Sequence, residues 1–334
     1  MKEIGSDFHI NPFHLINLWL KNRYYWTLNR KEDKNKQFFI NGRNTLKYII
    51  SNLKEYHFLI PNYSCESVDN QFQDKDYYEI TDTLEINIIS LMHQIKLNEN
   101  KKLAVLIIDY FGKRDPYIDK IINLCHDGGI LIIQDFTHDI FTNFLYGDIS
   151  YCSYRKMLPT PYGGYLIDFK NILPKQKKFS IHILYTLLFL LKLISMLLKN
   201  FGFLKFIWRP LLIFCEKKID LITHFGFDWL NYYLYKILET DKEDIITRRK
   251  NNNTFLKITM NYPSIEHLRE NIFAYPLLFK NEEERDKYKQ ALINHKIYPA
   301  VYWPNNHPVS KKILFIATDQ RYTPKDYNIN RMIS

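Results

Sequence analysis

The chain has 334 residues, room for two domains at roughly 150 residues each, and 46% of them are apolar, so a sizeable core can form. Its formal charge is +10, from 46 basic and 36 acidic residues. The excess is scattered, with short clusters at Lys34–Lys36, Lys175–Lys178 and Arg248–Lys250. There is no basic arm and no nucleic-acid motif, so no nucleic-acid partner is expected. Cys65, Cys125, Cys152 and Cys215 lie far apart with no Cys-x-x-Cys, and Met1–Asp7 holds no signal-peptide apolar run. A reduced, cytoplasmic setting with no metal centre is the expectation.

Gly42 precedes a predicted helix over Arg43–Leu53, with apolar residues at Leu46, Ile49, Ile50 and Leu53. A strand over Tyr56–Ile60 is ended by Pro61. Ile86–Ile95 reads as a helix, and Leu103–Ile108 as a strand buried on both faces. Tyr117–Cys125 is helical and is stopped by Asp127-Gly128-Gly129. Strands follow at Ile130–Ile133, Asp148–Cys152 and Gly164–Phe169. Strands alternating with helices imply an α/β fold with a mostly parallel, doubly wound sheet.

The stretch 179–214 is unusually apolar, yet its longest charge-free run, Phe179–Leu191, is 13 residues, short of the roughly 18 that a spanning helix needs. It reads either as one long buried helix or as a peripheral, in-plane membrane contact, since Lys175, Lys177 and Lys178 flank it and Trp208 follows. Beyond about Asp241 the texture changes. Ile272–Leu278, a helix over Glu282–His295, Ile297–Tyr302 and Ile313–Ala317 suggest a small α+β domain. The expected partition is a large domain, 1–240, and a small C-terminal domain, 241–334.

In such a sheet, ligands bind outside the carboxyl ends of the strands. Asp109 and Asp135 end two predicted strands, and Ser153 and Lys156 follow a third. A carboxylate at a strand end and a Ser-x-x-Lys one strand later suit pyridoxal phosphate (PLP). The Lys156 amine forms a Schiff base with the cofactor, the Ser153 hydroxyl reaches its phosphate, and Asp135 holds the pyridine nitrogen protonated. Gly163-Gly164 permits close backbone approach after this loop. Each residue also has a plain structural reading. Lysines are usually surface residues, and Asp135 can cap a following helix. His138 can be a helix-start residue. Gly42-Arg43-Asn44-Thr45 opens a helix whose amides can bind phosphate, or can simply be capped.

Several short stretches, in this order, resemble the DegT/DnrJ/StrS family of PLP-dependent sugar aminotransferases. They are Asn41-Gly42-Arg43, Pro61-Asn62-Tyr63-Ser64-Cys65, Tyr110-Phe111-Gly112, Gln134-Asp135-Phe136-Thr137-His138, Gly147-Asp148, and Ser153-Tyr154-Arg155-Lys156. Gly163-Gly164, Arg248-Arg249-x-Asn251, Ile297-Tyr298 with Val301-Tyr302-Trp303-Pro304, and Asp319-Gln320-Arg321-Tyr322 complete the series. The resemblance implies a PLP-dependent transferase type I fold and a homodimer with active sites at the subunit interface. It makes Lys156 the Schiff-base lysine and Asp135 the pyridinium partner, and places His138 near the cofactor's phenolic oxygen. Ser153 and the Gly42–Asn44 backbone, Arg43 included, would hold the phosphate; the aromatic cover of the ring, usual in the family near the position of Cys65, is here Tyr63 or Phe111, or is missing. The implied reaction moves an amino group from an amino acid, glutamate by expectation, to a keto-sugar, nucleotide-linked, in surface-polysaccharide synthesis.

The chain also departs from the family. Arg43 and Asn44 stand where small residues are usual, and Asn231 is only a candidate for the partner-subunit Asn motif. The segment 179–214 has no counterpart, and Arg331-Met332-Ile333-Ser334 is expected to stop short of the last helix. The alternatives are a non-catalytic binding or assembly protein at the membrane surface, and a sugar dehydratase of the same family. Dehydratases carry His in place of the Schiff-base lysine, against which Lys156 argues.

Overall fold

The computed structural model describes residues 3–5, 7–22, 35–176, 182–260, 265, 273–303 and 307–327. Lys177, Lys178, the start of the 179–214 stretch, Pro304 and the C-terminal 331–334 lie outside them. In chain order the elements are α1 (Pro12–Asn22), β1 (Lys36–Phe39), α2 (Gly42–Asn52), β2 (His57–Pro61), α3 (Glu66–Asp69), β3 (Lys75–Tyr78), α4 (Ile88–Leu97), β4 (Leu103–Ile108), α5 (Ile118–Asp127) and β5 (Leu131–Asp135). Then come β6 (Ile149–Cys152), β7 (Gly164–Asp168), α6 (Ile183–Leu198), α7 (Lys205–Ile219), α8 (Trp229–Glu239), α9 (Lys242–Thr259), β8 (Ala274–Leu278), α10 (Glu282–Asn294), α11 (Pro308–Lys312) and β9 (Ile313–Ala317).

Two compact units emerge, one of Met1–Ser6, Lys54–Asp148 and Glu243–Ser334, the other of Asp7–Leu53 and Ile149–Lys242. This grouping follows compactness rather than chain order. It therefore divides the stretch 1–240, which we keep as a proposed folding domain, while its break at Lys242 lies beside the proposed boundary.

In the first unit β5, β4, β2 and β3 pair in that order, all in parallel. Every residue of β4 and β5 is buried, because helices cover both faces of a parallel sheet and leave no polar side to alternate with. Ile107 pairs with Gln134 and Ile108 with Asp135. That register sets the two carboxyl ends side by side. The same unit holds the antiparallel pair β8–β9, whose Tyr275, Leu277, Leu314 and Ile316 form a core with Leu256 of α9 and Leu292 of α10. The stretch 297–302, expected as a strand, makes only single bridges, Ile4 to Ile297 and Ala300 to Phe315. Pro299 interrupts it and has no N–H to continue a ladder.

In the second unit β7 pairs antiparallel with both β1 and β6. Helix α2 packs on these strands and α1 packs on α8. The apolar stretch is not one long helix. It is a hairpin, α6 and α7 side by side, joined by a 3-10 turn at Gly202–Leu204. Gly202, with the lowest helix propensity after proline, sits in that break. Among the described residues no helix is long and apolar enough to cross a membrane.

Candidate active site

Each unit carries its own share of the predicted residues. Gly42, Arg43, Asn44, Ser153 and Lys156 belong to the second, Tyr63, Asp135 and His138 to the first.

In the second unit Asn41 caps α2, its Oδ1 accepting the Asn44 N–H at 2.8 Å. Thr45 N–H bonds back to the Asn41 carbonyl at 3.1 Å. Helix geometry gives the amides of Gly42 and Arg43 no intrahelical acceptor. Gly163 donates to the Ile40 carbonyl at 2.8 Å in a parallel bridge that turns the Gly42 N–H toward the Gly163 carbonyl, so Arg43 offers the amide for an outside acceptor. The Asn44 side chain is committed to structure. Its Nδ2 donates to the Ile222 carbonyl at 3.1 Å and its Oδ1 accepts the His224 N–H at 2.9 Å. The Arg43 guanidinium pairs with Asp220. A Cβ on Gly42 would stand 2.6 Å from the Ser153 Cβ and 3.2 Å from its Oγ. Only glycine lets the helix start press against that serine, and the contact forms a cradle of an amide and a hydroxyl that suits a phosphate.

Lys156 ends the 3-10 turn Tyr154–Lys156 and is exposed. The turn is anchored by Tyr154, fully buried against Tyr235 at 4.9 Å. Gly163 holds φ at +122°, and any side chain there would strike the Tyr154 ring. Beside Lys156, the Arg155 Nη1 lies 3.7 Å from Glu216, which also pairs with buried Lys192. Burial works against the Glu216 charge, but Arg155 and Lys192 outweigh it, Lys156 adds to them, and the pKa falls below the usual range. Burial, then Arg155, lower the Lys192 pKa to about 8, despite the pull of Glu216. The Lys192 Nζ lies 4.2 Å from the Tyr162 ring centroid. This clustering joins the α6–α7 hairpin to the lysine turn and could not be read from the sequence, since its members are scattered along it.

In the first unit Asp135 is buried at the end of β5, and its Oδ1 accepts the Thr137 N–H at 2.9 Å. His138 is buried too. Its Nδ1 faces the Phe111 N–H at 3.2 Å, which makes Nδ1 the acceptor and leaves the proton on Nε2. The ring stacks against Phe273, at 4.0 Å, and Phe111, at 5.3 Å. Phe111 adopts φ 56°, ψ 23°, a left-handed conformation that costs a non-glycine residue energy and is held by its packing. Tyr63, also buried, donates its hydroxyl to the Tyr302 carbonyl at 3.0 Å and packs on Trp303 at 5.0 Å. Among the described residues no group of three or more His, Cys, Asp or Glu could hold a metal ion.

Sequence reasoning noted Asp109 as a strand end but missed its network. Gln134 Nε2 donates to Asp109 at 2.7 Å, and the Tyr146 hydroxyl donates to the same carboxylate at 2.6 Å. The available signal was Gln134, a polar residue inside an apolar run. Burial raises the Asp109 pKa to about 7; the bonds from Tyr146 and Gln134 oppose this, and Asp135 and Asp139 add to it. Unfolded, this carboxyl titrates near ~3.9. The folded state therefore holds the proton more tightly, and the stability it lends is full below about pH 4 and lost as pH rises through about 7. The urea midpoint of the wild type should accordingly fall relative to that of Asp109→Asn between about pH 5 and about pH 8. A constant difference would show that Asp109 does not titrate in that window.

No family model matches the sequence, and no curated protein matches it. Solved structures do resemble it. Helicobacter pylori PseC, an aminotransferase involved in the biosynthesis of pseudoaminic acid, superposes at TM-score 0.69 and 12% identity, covering 99% of this chain and 98% of that one. A putative sugar aminotransferase from Streptococcus pneumoniae gives 0.63 at 12% identity, covering 99% and 97%. A DegT DnrJ EryC1 StrS aminotransferase from Brucella abortus gives 0.57 at 15% identity, covering 98% and 90%. The chain thus has the α/β fold of the type I PLP-dependent transferases.

Proposed function

We propose that this chain is a PLP-dependent aminotransferase that moves an amino group from an amino acid, glutamate as donor, to a nucleotide-linked keto-sugar in surface-polysaccharide synthesis. We place it in the cytoplasm as a homodimer, with a peripheral membrane contact through 179–214. The observation that carries the reading is the Gly42–Ser153 contact, a phosphate cradle three residues before an exposed lysine. The fold, shared with sugar aminotransferases, supports it.

When bound, the cofactor supplies an electron-accepting ring that stabilises negative charge at the substrate's α-carbon. The chain's residues do the rest. The Arg43 amide and the Ser153 hydroxyl would donate to the phosphate, with Gly42 allowing its close approach. Asp135, its Oδ1 held by the Thr137 N–H, would accept a hydrogen bond from the protonated ring nitrogen. His138 presents Nε2–H to the phenolic oxygen. The Lys156 amine would hold the cofactor and, when free of it, would carry the α-proton as general base and acid.

The test is a spectrophotometric titration with PLP, followed by glutamate and a panel of nucleotide keto-sugars. Visible absorbance that shifts with glutamate and is restored by one keto-sugar supports the proposal. Protein that stays colourless with PLP sinks it.

A further inference from the structure

The α6–α7 hairpin turns an apolar surface outward. At its tip Phe201, Phe203 and Phe206 are 53%, 77% and 73% exposed. Along α6, Ile183, Leu187, Leu190 and Ile194 are exposed at helical spacing, so they form one stripe. On α7, Phe214 is exposed with the Lys218 Nζ 6.0 Å from its ring centroid. Exposed apolar side chains gathered on one helical hairpin mark a docking face.

We propose that this hairpin docks in the plane of an anionic lipid bilayer, its phenylalanine tip in the headgroup boundary and its lysines on the lipid phosphates. The proposal rests on the peripheral contact just stated and names its seat and its lipid chemistry. Charge selects the occupant. Between Ile183 and Ile222 there are six basic residues and two acidic ones. Both acids are already engaged, Glu216 with Lys192 and Arg155, and Asp220 with Arg43. Lys205, Arg209, Lys217 and Lys218 are exposed among the apolar side chains. A two-fold contact with a second copy would set this cationic patch against itself. An anionic bilayer complements it, the lysine and arginine stems lying along apolar surface while their charged ends reach the phosphates. A crossing helix is not available among the described residues, so the contact is in-plane.

The test is co-sedimentation of the full chain with phosphatidylcholine vesicles, with and without phosphatidylglycerol. The wild type should partition onto the anionic vesicles at least tenfold more than onto the neutral ones, and added sodium chloride should reverse this. Phe203→Ser with Phe206→Ser should lower the partition at least tenfold, as should Lys205→Glu with Arg209→Glu. All four side chains are exposed, so folding, checked by circular dichroism, should persist. Equal binding to both vesicle types would keep the peripheral contact and overturn its lipid chemistry. Binding to neither would overturn both. Tip variants that convert a dimer to a monomer in sedimentation velocity and leave partition unchanged would overturn the hairpin as the seat and make this face an interface between copies. None of these readouts needs cofactor or sugar.

Discussion

Lys156→Ala should abolish transamination, with kcat reduced about ten-thousand-fold or more, and PLP should no longer give the visible absorbance of a lysine-bound cofactor. The size of the effect follows from the dual role proposed for one amine, which holds the cofactor and moves the α-proton. The interpretation is clean because the side chain is exposed while its neighbour Tyr154 carries the packing of the turn. Thermal midpoints of variant and wild type should agree closely. Lys156→Arg separates chemistry from charge. It preserves the positive charge that helps lower the Glu216 pKa, but a guanidinium cannot lose its proton to act as a base. Lys156→Arg should be as inactive as Lys156→Ala. Substantial transamination by either would remove Lys156 from the reaction.

The parallel core was legible because it obeys a local rule. Leu103–Ile108 is a strand at the predicted bounds, since continuous burial demands a continuous β-favouring apolar run. β1 and β3 were not predicted. Lys36-Gln37-Phe38-Phe39 and Lys75-Asp76-Tyr77-Tyr78 are four-residue strands with polar starts, and only their ladder partners identify them. Of the two readings of 179–214, the single long helix fails because hydropathy continues through the break while the backbone does not. Within the candidate site, Asp135, Ser153 and Lys156 could be named from their place after strands. The commitment of Asn44 to Ile222 and His224, and of Arg155 to Glu216, depends on contacts 60 or more positions apart, which no local pattern encodes.

Register within a helix decides the last expectation. The stretch quoted for the family resemblance was Arg248-Arg249-x-Asn251, but α9 buries Ile245, Arg249, Asn252, Asn253 and Leu256 and leaves Arg248 and Asn251 exposed. Positions 245, 249, 252 and 256 recur at helical spacing, so the buried polar pair is Arg249 with Asn252. Arg249 Nε donates to Gln320 Oε1 at 2.9 Å, and Asn252 Nδ2 meets the carbonyls of Thr318, Asp319 and Tyr322 at 3.2, 3.2 and 3.0 Å. Burial lowers the Arg249 pKa to about 10, with Asp319 pulling the other way, so the group stays charged at neutral pH. Arg249→Ala should therefore cost about 3–5 kcal/mol, because it leaves a cavity and unpaired polar groups together. Arg249→Met keeps the stem's packing and should cost less. Arg248→Ala removes only an exposed pair with Asp244 and should cost roughly 0.3–0.5 kcal/mol. Guanidinium unfolding orders the three, and hydrogen exchange locates the damage. Protection in β8 and β9 should collapse in Arg249→Ala, since α9 packs against them through Leu256. If Arg249→Ala unfolded at the wild-type denaturant concentration, the buried arginine would not be pinning this helix to the segment that follows β9.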